Sequence, residues 1–109
     1  MKLVRKRRLG RGVALVGAGM TKFGAYPRGV RTADLFIEAF NEMKNSVDKG
    51  LQPEDIEGFY IGNFSSDIFE KQVHSAATVV SRLGLVPRPG VKIENACGSS
   101  GVAFREGIL

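Results

Sequence analysis

Apolar residues along this chain recur with two different periods. Gly12 to Val16 is a short, fully apolar run, which predicts a strand buried on both faces of a sheet. Phe36, Phe40, Met43 and Val47 then fall at i, i+4, i+7 and i+11, the stripe of an amphipathic helix, and Leu35 and Ala39 widen it. Thr32 offers an N-cap, Asp34 sits well in the first turn, and Lys49-Gly50 gives a stop. Pro53 to Ile56 reads as a turn with a short helical piece, and Phe59-Tyr-Ile-Gly62 as a second strand. Asn63 to Glu70 reads as a polar connection. Val73, Ala76, Ala77, Val80 and Leu83 mark a second helix, closed by Gly84 and Pro87-Arg-Pro-Gly90. Val91 and Ile93 alternate with Lys92 and Glu94, predicting a third strand over 91–96, and a third helix starts near Cys97. Strand, helix, strand, helix, strand, helix predicts an α/β fold with a mainly parallel sheet and right-handed crossovers.

The 109 residues suffice for one small domain. The net charge of +5 is unevenly placed. Residues 1–11 hold six basic residues and no acid, whereas 12–109 hold ten basic and eleven acidic ones. The chain therefore divides into a basic N-terminal tail, 1–11, and a near-neutral body, 12–109. The tail has no aromatic residue for base stacking, so it reads as a solvated leader or an edge of the first strand, and no nucleic-acid partner is expected. No apolar run has the length of a membrane span. The charged start lacks a convincing cleavage site, so neither export nor a membrane partner is expected. A single cysteine forms no internal disulfide, which fits a reducing, cytoplasmic location. No metal-ligand spacing is present. The last helix is cut at Leu109, leaving Val102, Ile108 and Leu109 without a later element to cover them. The body thus reads as the front piece of a longer protein.

Two stretches carry candidate chemistry. Gly17-Ala-Gly19 begins like a dinucleotide loop, but Lys22 stands where the third glycine belongs and Tyr26-Pro27 breaks any helix. The stretch Glu94-Asn-Ala-Cys97-Gly-Ser-Ser-Gly101 holds the only cysteine at a strand-to-helix junction. Unpaired N–H groups and the macrodipole at a helix start favour thiolate, which is the nucleophile. Small neighbours let an acyl substrate approach. The alternative is an inert, buried cysteine acting as a small hydrophobe. His74, the only histidine, reads as a packing or interface residue on the second helix.

Four segments, in order, resemble the thiolases, most closely their archaeal and sterol-carrier-protein-linked branch. They are Val13-Ala-Leu-Val-Gly-Ala-Gly-Met-Thr-Lys-Phe-Gly24, Pro53 to Asn63, Ala76 to Gly84, and Glu94 to Gly101. The resemblance implies that 12–109 is the N-terminal part of a thiolase-like domain, truncated in the nucleophile helix. It implies that Cys97 is the catalytic nucleophile, forming an acyl-thioester before Claisen condensation or thiolysis, as in acetyl-CoA C-acetyltransferases of lipid metabolism. The Cys97 N–H would contribute to the oxyanion hole. Acyl-CoA and CoA would be substrates, with no separate cofactor, and partners would be further copies of the protein (dimer or tetramer) or another thiolase-system subunit. The family's two histidines, second cysteine and asparagine motif match nothing up to Leu109, so residues 1–109 alone are expected to be inactive. Two other readings stay open: a non-catalytic thiolase-like subunit or partner-binding fragment, and a relative of the ketoacyl or hydroxymethylglutaryl-CoA synthases.

Overall fold

The computed structural model describes residues 12–109. The basic tail, 1–11, lies outside the described residues. Four helices, α1 (Thr32–Ser46), α2 (Ser66–Glu70), α3 (Ser75–Arg82) and α4 (Ser99–Ile108), surround two strands, β1 (Phe59–Gly62) and β2 (Gly90–Ile93). The strands pair in parallel, Phe59 opposite Gly90 through Gly62 opposite Ile93. The α2–α3 segment crosses between them, so the fold is α/β as the pattern predicts.

The centre is small. Ile61 of β1 and Ala76 and Val79 of α3 form a buried cluster, and Phe36, Ile37, Phe59 and Leu83 pack against it. Val79 and Leu85 are fully buried. Burying side chains of this size contributes roughly 1.5–3 kcal/mol each. Phe40 and Phe59 meet as a tilted aromatic pair with centroids 6.4 Å apart.

The first expected strand does not form. Residues 12–16 make no ladder bonds, and Val13, Leu15 and Val16 are exposed. Val13 to Leu15 instead border an open apolar groove of about 490 Å³ with β1 and α4. Fixed contacts begin only further on, where the Ala18 N–H donates to Ser46 Oγ at 2.9 Å and the Met20 N–H to Glu42 Oε2 at 3.2 Å. A methyl group on Gly19 would lie 2.2 Å from the Ala39 carbonyl oxygen. The Gly17-x-Gly19 pattern therefore serves close packing of backbone on α1.

The helix starts also differ from the pattern. Arg31, not Thr32, occupies the N-cap of α1, and its N–H donates to Asp34 Oδ2 at 2.7 Å. The Thr32 N–H and hydroxyl both donate to Glu70 Oε1 at 2.7 Å, so a carboxylate from α2 closes this helix end. Arg82 also pairs with Asp34 at 2.8 Å. The Arg31 N–H, then Arg82, holds the Asp34 carboxyl below its ordinary 3.8. α1 ends at Ser46, three residues before Lys49, and Gly50 closes the following turn onto Val47. The polar connection at 63–70 contains the short helix α2, which a five-residue span hides from periodicity. α3 begins two residues after Val73, which is exposed, and buries Ser75, Ala76, Val79 and Val80 rather than Ala77.

Candidate active site

β2 ends at Ile93, earlier than the expected 96, because the chain turns at once. A single 3₁₀ turn, Ala96–Gly98, links it to α4, whose N-cap is Gly98. Cys97 sits in that turn and is exposed. It therefore stands one residue before the cap of a ten-residue helix, at the strand-to-helix junction the sequence indicates. Among the described residues nothing buries its side chain.

The junction is held tightly. Ala96 adopts φ 46°, the left-handed region that alanine rarely enters. Its N–H donates to the Glu94 carboxylate, and its carbonyl accepts the Ser99 hydroxyl at 2.7 Å. Ser99 Oγ also accepts the Asn95 N–H at 2.9 Å. Ser99 is only 4 % exposed, and the backbone at Ser99 and Ser100 seats directly on Gly62 of β1. The Gly98 N–H donates to the Asn95 carbonyl at 2.9 Å, completing the turn.

Charges nearby are paired within the chain. Lys92 of β2 forms a largely buried ion pair with Asp67 of α2. The other oxygen, Asp67 Oδ1, is buried without a hydrogen-bond partner. Lys92 is thus occupied by Asp67, whereas Glu94 stays exposed while accepting the Ala96 N–H. His74 is exposed at the N-cap of α3, and its N–H donates to Gln72 Oε1 at 2.9 Å. It precedes the helix rather than lying on it, and its exposure removes the packing reading and leaves the interface one. Among the described residues no three His, Cys, Asp or Glu side chains gather to hold a metal, and no helix is long and apolar enough to cross a membrane.

The stretch from Glu94 to Gly101 marks the junction in the sequence, but neither the seat at Gly62 nor the bonds that Glu94 and Ser99 make to Ala96 are legible there. Ser99 carried a faint signal, a hydroxyl three residues after the carbonyl it binds. The left-handed Ala96 carried none, since a residue with a Cβ seldom adopts that region by its own preference.

Comparison with known proteins fits this arrangement. Residues 13–108 match the family described as thiolase, N-terminal domain. An acetyl-CoA acetyltransferase of Methanothermobacter thermautotrophicus is 36% identical over 105 residues, covering 91% of this chain and 25% of its own length. Another acetyl-CoA acetyltransferase, from Methanocaldococcus jannaschii, is 37% identical over 100 residues, covering 91% of this chain and 24% of its own. The chain thus spans about a quarter of the length of the curated relatives it matches. With the match running from Val13 through the Cys97 junction to Ile108, the chain belongs to the thiolase family, in the part that forms its N-terminal domain.

Proposed function

We propose that this chain supplies the nucleophile of a thiolase-type acyltransferase acting on acyl-CoA, with Cys97 as the residue acylated. The observation that carries the reading is the exposed Cys97 on a tightly bonded strand-to-helix turn, inside the stretch that matches the thiolase N-terminal domain. The acetyl-CoA acetyltransferase names of the two relatives point to the substrate class.

The chemistry is a double transfer at one sulfur. Cys97 Sγ attacks the thioester carbonyl carbon, a new S–C bond forms, and the bond to the CoA sulfur breaks. The thiol proton of Cys97 ends on the departing CoA. The α-carbon of a second acyl-CoA then loses a proton and attacks the Cys97 thioester carbonyl; the C–C bond forms, the S–C bond to Cys97 breaks, and the proton taken from the α-carbon ends on the freed Cys97 thiol. In the reverse direction, CoA takes the acyl group from Cys97 as a thioester. The Cys97 N–H contributes to the oxyanion hole, a type of donor worth roughly 3–4 kcal/mol in the transition state. A base and an acid are also needed, and we assign neither role to the exposed His74.

We extend the reading to assembly and location. The Pro89 and Ile93 carbonyls accept from β1, so by strand alternation the backbone groups of Gly90 and Lys92 point away from it. That edge has no strand partner among the described residues. A two-fold copy could pair there, giving a homodimer. A single free thiol suits a reducing, cytoplasmic setting.

The deciding experiment is intact-mass detection of the full-length protein after brief exposure to acetyl-CoA. An acetyl group on the parent, mapped to Cys97 and absent in Cys97→Ala, is expected. No adduct in the parent would favour a non-catalytic thiolase-like subunit.

A further inference from the structure

We propose that Ser99 is a positioning residue for Cys97, acting through the left-handed Ala96; this rests on the reading of Cys97 as the nucleophile.

Cys97 is exposed, so packing around its side chain does little to fix the sulfur. Its place is set by the backbone before it. That backbone contains the least comfortable residue of the junction, Ala96 at φ 46°. A non-glycine residue stays in this region only when its surroundings over-determine it. Two side chains do so here. The Glu94 carboxylate takes the Ala96 N–H, and the Ser99 hydroxyl donates to the Ala96 carbonyl at 2.7 Å.

Ser99 is the stronger of the two clamps. Glu94 is exposed, and water competes for its carboxylate. Ser99 is buried, and its hydroxyl also accepts the Asn95 N–H at 2.9 Å. One oxygen thus brackets Ala96 from both sides, and the residue bearing it is seated on Gly62 of β1. Without the hydroxyl, the Ala96 carbonyl keeps only the Ser99 N–H and the Asn95 N–H loses its acceptor, so Ala96 is freer to relax toward ordinary backbone angles and rotate the peptide that leads into Cys97. Misplacement by about 1 Å can cost on the order of a hundredfold in rate.

A positioning role differs from a merely structural one in how it is rescued. Glycine enters the left-handed region freely, so Ala96→Gly holds the turn without the clamp. It should therefore rescue the loss of Ser99. It could not repair a helix start or a packing defect left by Ser99→Ala.

The test measures acetylation of Cys97 by acetyl-CoA, and in parallel its alkylation by iodoacetamide, in the full-length protein. Ser99→Ala should slow acetylation by about tenfold or more, with the half-saturating acetyl-CoA concentration unchanged. The Ser99→Ala/Ala96→Gly double variant should return most of the rate lost in Ser99→Ala, with Ala96→Gly alone measured as its reference. If Ser99→Ala does not fold, Glu94→Ala tests the same turn from its exposed side, with a smaller loss and the same rescue. Ser99→Ala reacting at the parental rate, or a double variant no faster than Ser99→Ala, would overturn the proposal; where Glu94→Ala stands in for Ser99→Ala, the same two outcomes apply to it. Alkylation needs no acyl-CoA. A parent that is alkylated but never acetylated would sink the nucleophile reading, while the alkylation series still reports the geometry.

Discussion

Gly62 of β1 lies so close to Ser100 of α4 that a methyl group on Gly62 would fall 2.5 Å from the Ser100 Cα and amide nitrogen. The same methyl would meet the Ser99 carbonyl carbon at 2.5 Å. All three atoms are backbone and cannot swing away. The missing side chain of one strand residue thus lets the helix after Cys97 close on the sheet.

Gly62→Ala should accordingly destabilise the fold by roughly 3 kcal/mol, the upper end of the overpacking range. Because the displaced segment carries Ser99, the rate of Cys97 alkylation should change with it. Urea unfolding of the parent and variant checks the first effect. Equal midpoints would mean that the helix has room to retreat.

Cys97→Ala should abolish acyl transfer and leave stability nearly unchanged. The thiol is exposed, so its removal opens no cavity in the core. Acetyl-CoA should protect the parental thiol from iodoacetamide. Unprotected alkylation at the rate of an ordinary surface thiol would count against a nucleophile.

Residues 1–109 by themselves should not condense acetyl-CoA. Covalent catalysis needs a base for the thiol and an acid for the leaving group, and exposed His74 caps α3 rather than lying in the Cys97 turn. A steady-state assay of the purified 1–109 polypeptide decides it. Turnover at an enzyme-like rate would refute the assignment.

Asp34 ties the start of α1 to α3. Its carboxyl is held below 3.8, first by the Arg31 N–H and then by Arg82. A depressed folded-state value means that the ionised form adds stability above the unfolded value. That stability is lost as pH falls from about 4 through the lower folded value. Asp34→Asn should therefore lower stability at neutral pH and flatten its loss in acid. Thermal midpoints across pH 2 to 7, a range spanning roughly these values, provide the measurement. Parallel curves for the two proteins would dismiss the linkage.

Lys92→Pro should dissociate a β2-paired dimer, since the Lys92 N–H points to the unpaired edge. Lys92→Ala loses the Asp67 ion pair yet keeps that N–H, and should remain dimeric. Proline at Ile93 is a poorer probe, because Ile93 faces β1 and its carbonyl accepts the Asn63 N–H. Light scattering on the full-length protein separates these. A stable, active monomer at micromolar concentration would exclude the dimer.

Local chemistry was enough to read several elements from the sequence alone. Phe59–Gly62 is one of them, because a near-continuous apolar run between turn residues has few other uses. The long stripe of α1, the close of α3 at Gly84 and the cysteine at a strand-to-helix junction were legible for the same reason. What the neighbours decided was not legible. Gly12 to Val16 has the composition of a buried strand, but a strand exists only where another offers a ladder, and the next residues bind α1 instead. Thr32 looks like a cap, yet Glu70, distant in sequence, takes both of its donors. Ala96 is held left-handed by Glu94 and Ser99, against its own preference. Propensity and periodicity describe what a segment can do alone. Which carboxylate meets which N–H, and which strand finds a partner, depends on contacts that exist only after the chain has packed.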